Sequence, residues 1–176
     1  MFDGDSSFES IATHKEGNYL YIWGTTGGGF GGVKLARVEI TNPDSLLDKS
    51  NYQFCTGGNH WSYQENDAVD IVPAPNREIG VVYNEYLGKY LLTTLDNISY
   101  DIMIRESSTP YGPWSSPILL YGRQYVNEVN QRDVTGMYGV FSIPGFMENE
   151  GETMYSTLNL WDPYNLYWCK IHFVKN

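Results

Sequence analysis

A short pattern occurs three times in this chain at nearly even spacing, and it constrains the fold more than any other feature. Gly17-Asn18-Tyr19-Leu20-Tyr21 is followed by Leu35-Ala36-Arg37, and Gly88-Lys89-Tyr90-Leu91-Leu92 by Met103-Ile104-Arg105. The third instance is Gly151-Glu152-Thr153-Met154-Tyr155, followed by Trp168-Cys169-Lys170. The basic residue moves from 37 to 105 to 170, in steps of 68 and 65 residues. Each unit has a further strand-like run before the pair (Phe8 to Thr13, Glu78 to Tyr83, Tyr138 to Ile143), and the first two have one after it (Tyr52 to Cys55, Ile118 to Tyr121). Four antiparallel strands repeated in one order describe a propeller blade. A two-sheet sandwich holds as many strands but would not repeat the motif order. The expected fold is therefore all-β: a single partial β-propeller domain over 1–176, with blades at about 6–60, 66–122 and 136–176. Three blades do not close a ring. The expectation is that the missing blades precede this segment in a longer parent, or are replaced by self-association.

Outside the strands, Asn42 and Pro43 read as N-cap and first residue of a helix running to Asp48. Cys55 and Cys169 lie in strand-like runs and read as free thiols, with a disulfide as the alternative. The net charge of −10 is spread along the chain, which argues against nucleic acid as a partner because counterion release needs basic patches. No stretch has the apolar length of a membrane span. His14, His60 and His172 show no metal-ligand spacing, so neither a metal nor a cofactor is expected. The acidic start Met1-Phe2-Asp3-Gly4-Asp5 is unlike a signal peptide. The chain is then either intracellular or a piece of a longer, exported parent, which is expected to be secreted or held at a bacterial cell surface.

The segment from Leu158 to Trp168 holds Trp161, Tyr164, Asn165, Tyr167 and Trp168 around Pro163. Side chains that join a flat apolar body to a hydrogen-bonding tip suit a sugar, which offers C–H faces and hydroxyls. Trp161, Tyr164 and Asn165 are therefore substrate-binding candidates, and so are Trp23 and Thr25 beside the Gly-rich turn from Thr26 to Gly32. The partner they imply is a polysaccharide or oligosaccharide. Inter-blade packing, which also uses aromatics heavily, is the competing reading for Trp161, Tyr164 and Asn165.

The chain resembles the family catalogued as domain of unknown function 4185. The resemblance is carried by Tyr19-Leu20-Tyr21-Ile22-Trp23-Gly24-Thr25, Gly31-Gly32-Val33-Lys34-Leu35-Ala36-Arg37-Val38 and Arg77-Glu78-Ile79-Gly80-Val81-Val82-Tyr83-Asn84. Gly112-Pro113-Trp114-Ser115-Ser116-Pro117 and Leu160-Trp161-Asp162-Pro163-Tyr164-Asn165 complete it. It implies a five-bladed parent, of which this chain is the C-terminal portion, and an arabinanase-like glycoside hydrolase activity. The chain departs from the family pattern at Gly27-Gly28-Gly29, where an Arg is usual, and at Ser142, where a His is expected.

Glycoside hydrolysis needs two carboxyl groups across the scissile bond. Counting back equally from Tyr19, Tyr90 and Met154 reaches Ser7, Glu78 and Ser142, so Glu78 is the candidate catalytic carboxylate. The alternative is that Glu78 caps the strand start and binds backbone amides. Asp5, Asp67 and Asp70 are weaker candidates for the second carboxylate, which is expected mainly in the missing blades; Asp101 reads as exposed. His60-Trp61 could add a rim contact, Tyr111 to Ser115 reads as a structural turn, and Asn97-Ile98-Ser99 is a sequon. The leading function is an endo-acting hydrolase on arabinan-like polysaccharide, inactive as this chain alone. A non-catalytic carbohydrate-binding propeller is the alternative, and a protein-docking scaffold a third reading.

Overall fold

The strands Tyr19–Thr25, Gly31–Glu39 and Lys89–Leu95 are largely buried on both faces, because neighbouring sheets pack over them. A computed structural model describes residues 6–131, 136–162 and 164–175. The first unit contains β1 (Ser10–Glu16), β2 (Tyr19–Thr25), β3 (Gly31–Glu39) and β4 (Tyr52–Gly57), extended by β5 (His60–Ser62). The second contains β6 (Val72–Asn84), β7 (Lys89–Leu95), β8 (Ile102–Ser107) and β9 (Ile118–Tyr121). An α-helix, α1 (Arg123–Asn130), leads to the third unit of β10 (Met137–Tyr138), β11 (Thr153–Leu160) and β12 (Leu166–His172). All pairings are antiparallel between sequence neighbours, except that the start of β6 also pairs with β3 and so ties the first two units together. This is a partial β-propeller.

The innermost strand of the first unit begins at Ser10, opposite Thr25, and not at Phe8. Pro43 starts a single 3-10 turn, Pro43–Leu46, in place of the expected longer helix. Asn42 caps it as expected, with its side chain accepting from the Ser45 N–H. Both thiols are free.

The units meet through apolar faces. Tyr21, Trp23, Val33 and Leu35 of the first pack against Ile79, Tyr90 and Leu92 of the second. Leu91, Val82 and Ile104 on the opposite face of the second unit pack against Met154 of the third. Trp23 and Tyr90 stand 6.0 Å apart by ring centroid, and Tyr21 and Trp23 6.1 Å. Each fully buried aromatic or large aliphatic side chain contributes roughly 1.5–3 kcal/mol of transfer free energy, so these seams dominate stability.

Candidate active-site cleft

Where the second and third units meet, β6 is interrupted. Arg77 pairs with Leu95 and Ile79 with Thr94, so Glu78 is an extra residue, a β-bulge with φ of 38°. A bulge re-aims one side chain while the ladder continues on either side. Here it turns the half-buried Glu78 across the seam, where a carboxylate oxygen accepts the N–H of Gly139. Gly139 itself has φ of 62°, and its carbonyl accepts from Thr157 Oγ1 at 3.0 Å and Asn159 Nδ2 at 3.1 Å. A Cβ on Gly139 would stand 2.6 Å from Asn159 Nδ2, so only glycine fits this peptide.

Glu78 shares a small cleft of about 60 Å³ with Arg77, Leu95, Tyr100, Gly136, Met137, Tyr138 and Trp161. Trp161 reaches it because its N–H donates to the Gly136 carbonyl at 3.1 Å, while its ring lies over the bare Gly136 Cα. The Tyr138 ring faces Trp161 at 4.9 Å and Tyr164 at 6.2 Å, and Trp161 and Tyr164 are 6.0 Å apart. The Tyr138 phenol is pushed above its ordinary value, first by its hydrogen bond with Tyr164 and last by the charge of Glu78. Trp161 and Tyr164 are 54% and 70% exposed, so these two rings, unlike those in the seams, remain open to solvent.

Three of the expected site residues therefore gather in one place: Glu78 and Trp161 line the cleft, and Tyr164 flanks it. Asn165 is exposed in the same turn, and its carbonyl accepts the Leu160 N–H at 3.0 Å. Pro163 lies outside the described residues, as does Asp5.

Trp23 and Thr25 require a correction. Trp23 is 0% exposed, inside the seam between the first two units, with its indole N–H donating to the Pro110 carbonyl at 3.0 Å. Thr25 is 1% exposed and its hydroxyl donates to the Asn76 carbonyl at 3.3 Å. Neither side chain can meet a sugar, because the packing of the second unit covers both.

The remaining acids have structural partners. Asp67 accepts from the Ser62 hydroxyl, Asp70 packs against Gly32, and Asp101 accepts the Arg123 N–H at 2.8 Å, capping α1. The Trp61 ring lies under the Arg37 guanidinium at 4.0 Å. Tyr111 and Trp114 pack against the first seam, and Asn97 donates to the Gly28 carbonyl at 3.4 Å. Ser142 forms an isolated bridge with Ser156. The described residues contain no group of three or more His, Cys, Asp or Glu able to hold a metal.

Sequence reasoning missed Arg77, Tyr100, Tyr138 and Glu9. Gly29 packs on the Arg77 stem, where a Cβ would stand 2.9 Å away, so the Gly-rich turn abuts the cleft. Glu9 closes over Gly27 at the other end of that turn, where a Cβ would come within 2.0 Å of its carboxylate. The bulge at Glu78 has no counterpart in β1, which pairs with β2 without a register shift, so counting back equally does not match the two strands residue by residue.

Among solved structures, the chain is similar to an exo-β-1,3-galactanase from Clostridium thermocellum, at 14% identity and a TM-score of 0.58 over 94% of this chain and 37% of that one. A putative hydrolase from Bacteroides ovatus aligns at 16% identity and a TM-score of 0.61, over 89% of this chain and 43% of that one. An exo-β-1,3-galactanase from Phanerochaete chrysosporium, solved with β-1,3-galactotriose, aligns at 9% identity and a TM-score of 0.60, over 94% of this chain and 35% of that one. The chain thus spans less than half the length of these propellers. No curated protein matches it in sequence. The family model described as Domain of unknown function (DUF4185) matches residues 1–170, and the chain belongs to that family.

Proposed function

We propose that this chain supplies part of the carbohydrate site of a propeller glycoside hydrolase, acting on an arabinan-like polysaccharide in its longer parent. The observation that carries this reading is one cleft holding a carboxylate, Glu78, beside two solvent-open rings, Trp161 and Tyr164. The similarity of the fold to that of the C. thermocellum exo-β-1,3-galactanase supports a carbohydrate substrate. The choice of arabinan and of endo action rests on the family resemblance.

The cleft's volume of about 60 Å³ equals that of roughly two water molecules. A sugar ring therefore binds across the mouth, stacked on Trp161 and Tyr164, with Glu78 below it. The Gly139 amide fixes the orientation of the Glu78 carboxylate, as positioning of an acid/base group requires. From there Glu78 donates a proton to, or accepts one from, an oxygen of the bound sugar. Hydrolysis needs a second carboxyl group at the spacing of an inverting or retaining pair. Glu78 is the one acid lining the cleft among the described residues, so we assign the second carboxylate to further blades of the parent. Alone, this chain binds sugar weakly and does not hydrolyse it.

One observation favours the non-catalytic alternative: the Glu78 carboxylate is engaged by the Gly139 amide and so is partly committed to the fold. Release of oligosaccharides from arabinan by the full-length parent, compared with its Glu78→Gln variant, separates the two. A variant that cleaves as fast as the unaltered protein refutes the catalytic assignment. Binding without turnover in both proteins, lost on Trp161→Ala, leaves a binding propeller.

A further inference from the structure

Arg77 enters the cleft beside Glu78 with its charged end unspent. In an unbroken strand consecutive side chains point to opposite faces. The bulge at Glu78 instead brings both residues to one cleft. The Arg77 stem is held firmly: a Cβ on Gly29 would stand 2.9 Å from its Cβ and Cγ, and the Arg77 carbonyl accepts from Thr94 Oγ1 at 3.1 Å. Its half-buried guanidinium, by contrast, makes no hydrogen bond or ion pair with any of the described residues. Arg37 and Arg105 differ, since they donate to the Gln53 side chain and the Ser115 carbonyl at 2.8 Å each.

The space around that guanidinium is small and divided by chemistry. Leu95 and Met137, both buried, offer apolar walls, while Arg77 and Glu78 bring charge and Tyr100 and Tyr138 stand beside them. The volume of about 60 Å³ excludes a sugar ring but admits roughly two heavy atoms, since a water takes about 30 Å³. Backbone strain is concentrated here as well. Glu78, Tyr100 and Tyr164, with φ of 38°, 60° and 55°, are three of the six described non-glycine residues in the left-handed region. Strain of this kind gathers where a fold holds side chains for a ligand.

We propose that this cleft is a specificity pocket for the exocyclic hydroxymethyl group of the bound sugar, and that Arg77 is the residue that selects it. The inference rests on the carbohydrate reading of the site, with the ring stacked on Trp161 and Tyr164 at the mouth. The group has two heavy atoms, which the pocket holds: its CH2 lies against Leu95 and Met137, and its oxygen accepts from the Arg77 guanidinium. An anionic substituent is disfavoured because the Glu78 carboxylate shares the same small space. Hexopyranoses and pentofuranoses carry the group, whereas pentopyranoses lack it and leave the pocket unfilled. A hydroxymethyl oxygen already in a glycosidic link does not fit, so the unit bound here is terminal or linked through another position.

The test is saturation-transfer NMR on the 176-residue chain with two pairs of methyl glycosides. Methyl β-D-galactopyranoside and methyl α-L-arabinopyranoside differ only by the exocyclic hydroxymethyl. Methyl α-D-arabinofuranoside is compared with its 5-deoxy analogue, which lacks the hydroxyl. The complete member of a pair should bind about tenfold more tightly, the weight of one hydrogen bond to a charged donor, with strong saturation at its exocyclic CH2 protons. Arg77→Met keeps a stem of similar length against Gly29, so it should abolish that preference and leave the melting temperature unchanged. Equal affinity within a pair that binds overturns the proposal, and so does a preference that survives in Arg77→Met. Should that variant fail to fold, the comparison on the unaltered chain still decides. Binding of none of the four glycosides overturns the carbohydrate reading and this inference with it. Binding of all four without preference removes the hydroxymethyl pocket alone and leaves that reading standing.

Discussion

Replacing Glu78 by Gln, Gly and Ala in turn separates the structural work of its carboxylate from the strain of its backbone. A hydrogen bond to a charged group is worth about 1.5–3 kcal/mol, and a neutral one about 0.5–1.5 kcal/mol. Gln keeps an oxygen for the buried Gly139 N–H, so Glu78→Gln should cost about 1 kcal/mol, the loss of charge assistance. Ala removes the acceptor and leaves that amide without it, for a cost of about 2–3 kcal/mol. Gly removes the acceptor too, but at φ of 38° a Cβ costs about 1–2 kcal/mol that glycine does not. The expected order of stability is Glu, Gln, Gly, Ala, with Gly about 1 kcal/mol above Ala despite its greater freedom when unfolded. Urea unfolding at constant m-value gives these differences directly. At this chain length, about 1 kcal/mol corresponds to a shift of roughly 2–4 °C in melting temperature. If Glu78→Ala lies within about 0.5 kcal/mol of the unaltered chain, the Gly139 contact carries no stability. A Gly variant less stable than the Ala variant refutes the strain argument.

Three further outcomes are expected. Trp161→Ala should weaken binding of arabino-oligosaccharides, followed by isothermal calorimetry, while changing stability by less than about 0.5 kcal/mol, because the ring is half-exposed. Trp23→Ala should cost about 3–5 kcal/mol in urea unfolding, since it empties a fully buried site and strips the Pro110 carbonyl of its donor. A loss under about 1 kcal/mol would mean that the first seam is not packed as described. His14 lies edge-on against Tyr90 at 5.6 Å, and burial holds its imidazole below the ordinary 6.5, opposed by the charge of Glu16. The unfolded chain then binds the proton more readily, so stability is fully present above pH 6.5 and falls as pH drops toward the lowered folded value. His14→Phe should remove that part of the acid slope in melting temperature measured across the window below pH 6.5.

Much of the architecture is legible in single residues because it depends on local periodicity. Ile118 to Tyr121 form β9 with the bounds of the strand-like run, and Asn42 caps the turn that Pro43 begins. α1 escaped notice for a physical reason: Gly122 at its start has no side chain to cap with. The carboxylate that receives the Arg123 N–H is that of Asp101, which is distant in sequence. Trp23 was misread for a related reason. An aromatic at a strand end beside glycines has the same local pattern whether it faces a ligand or a neighbouring sheet.

The sequence alone determined that the chain is built of repeated antiparallel strands and that a carboxylate and an aromatic turn are its notable chemistry. Repetition and alternation are one-dimensional signals, and backbone geometry converts them directly into strands. Only the tertiary structure decided that Glu78 and Trp161 meet, because a bulge in β6 and a bare glycine across the seam bring them together. It alone decided which aromatics are buried and which are open. Burial depends on what the next unit places over a face, and no local pattern records that.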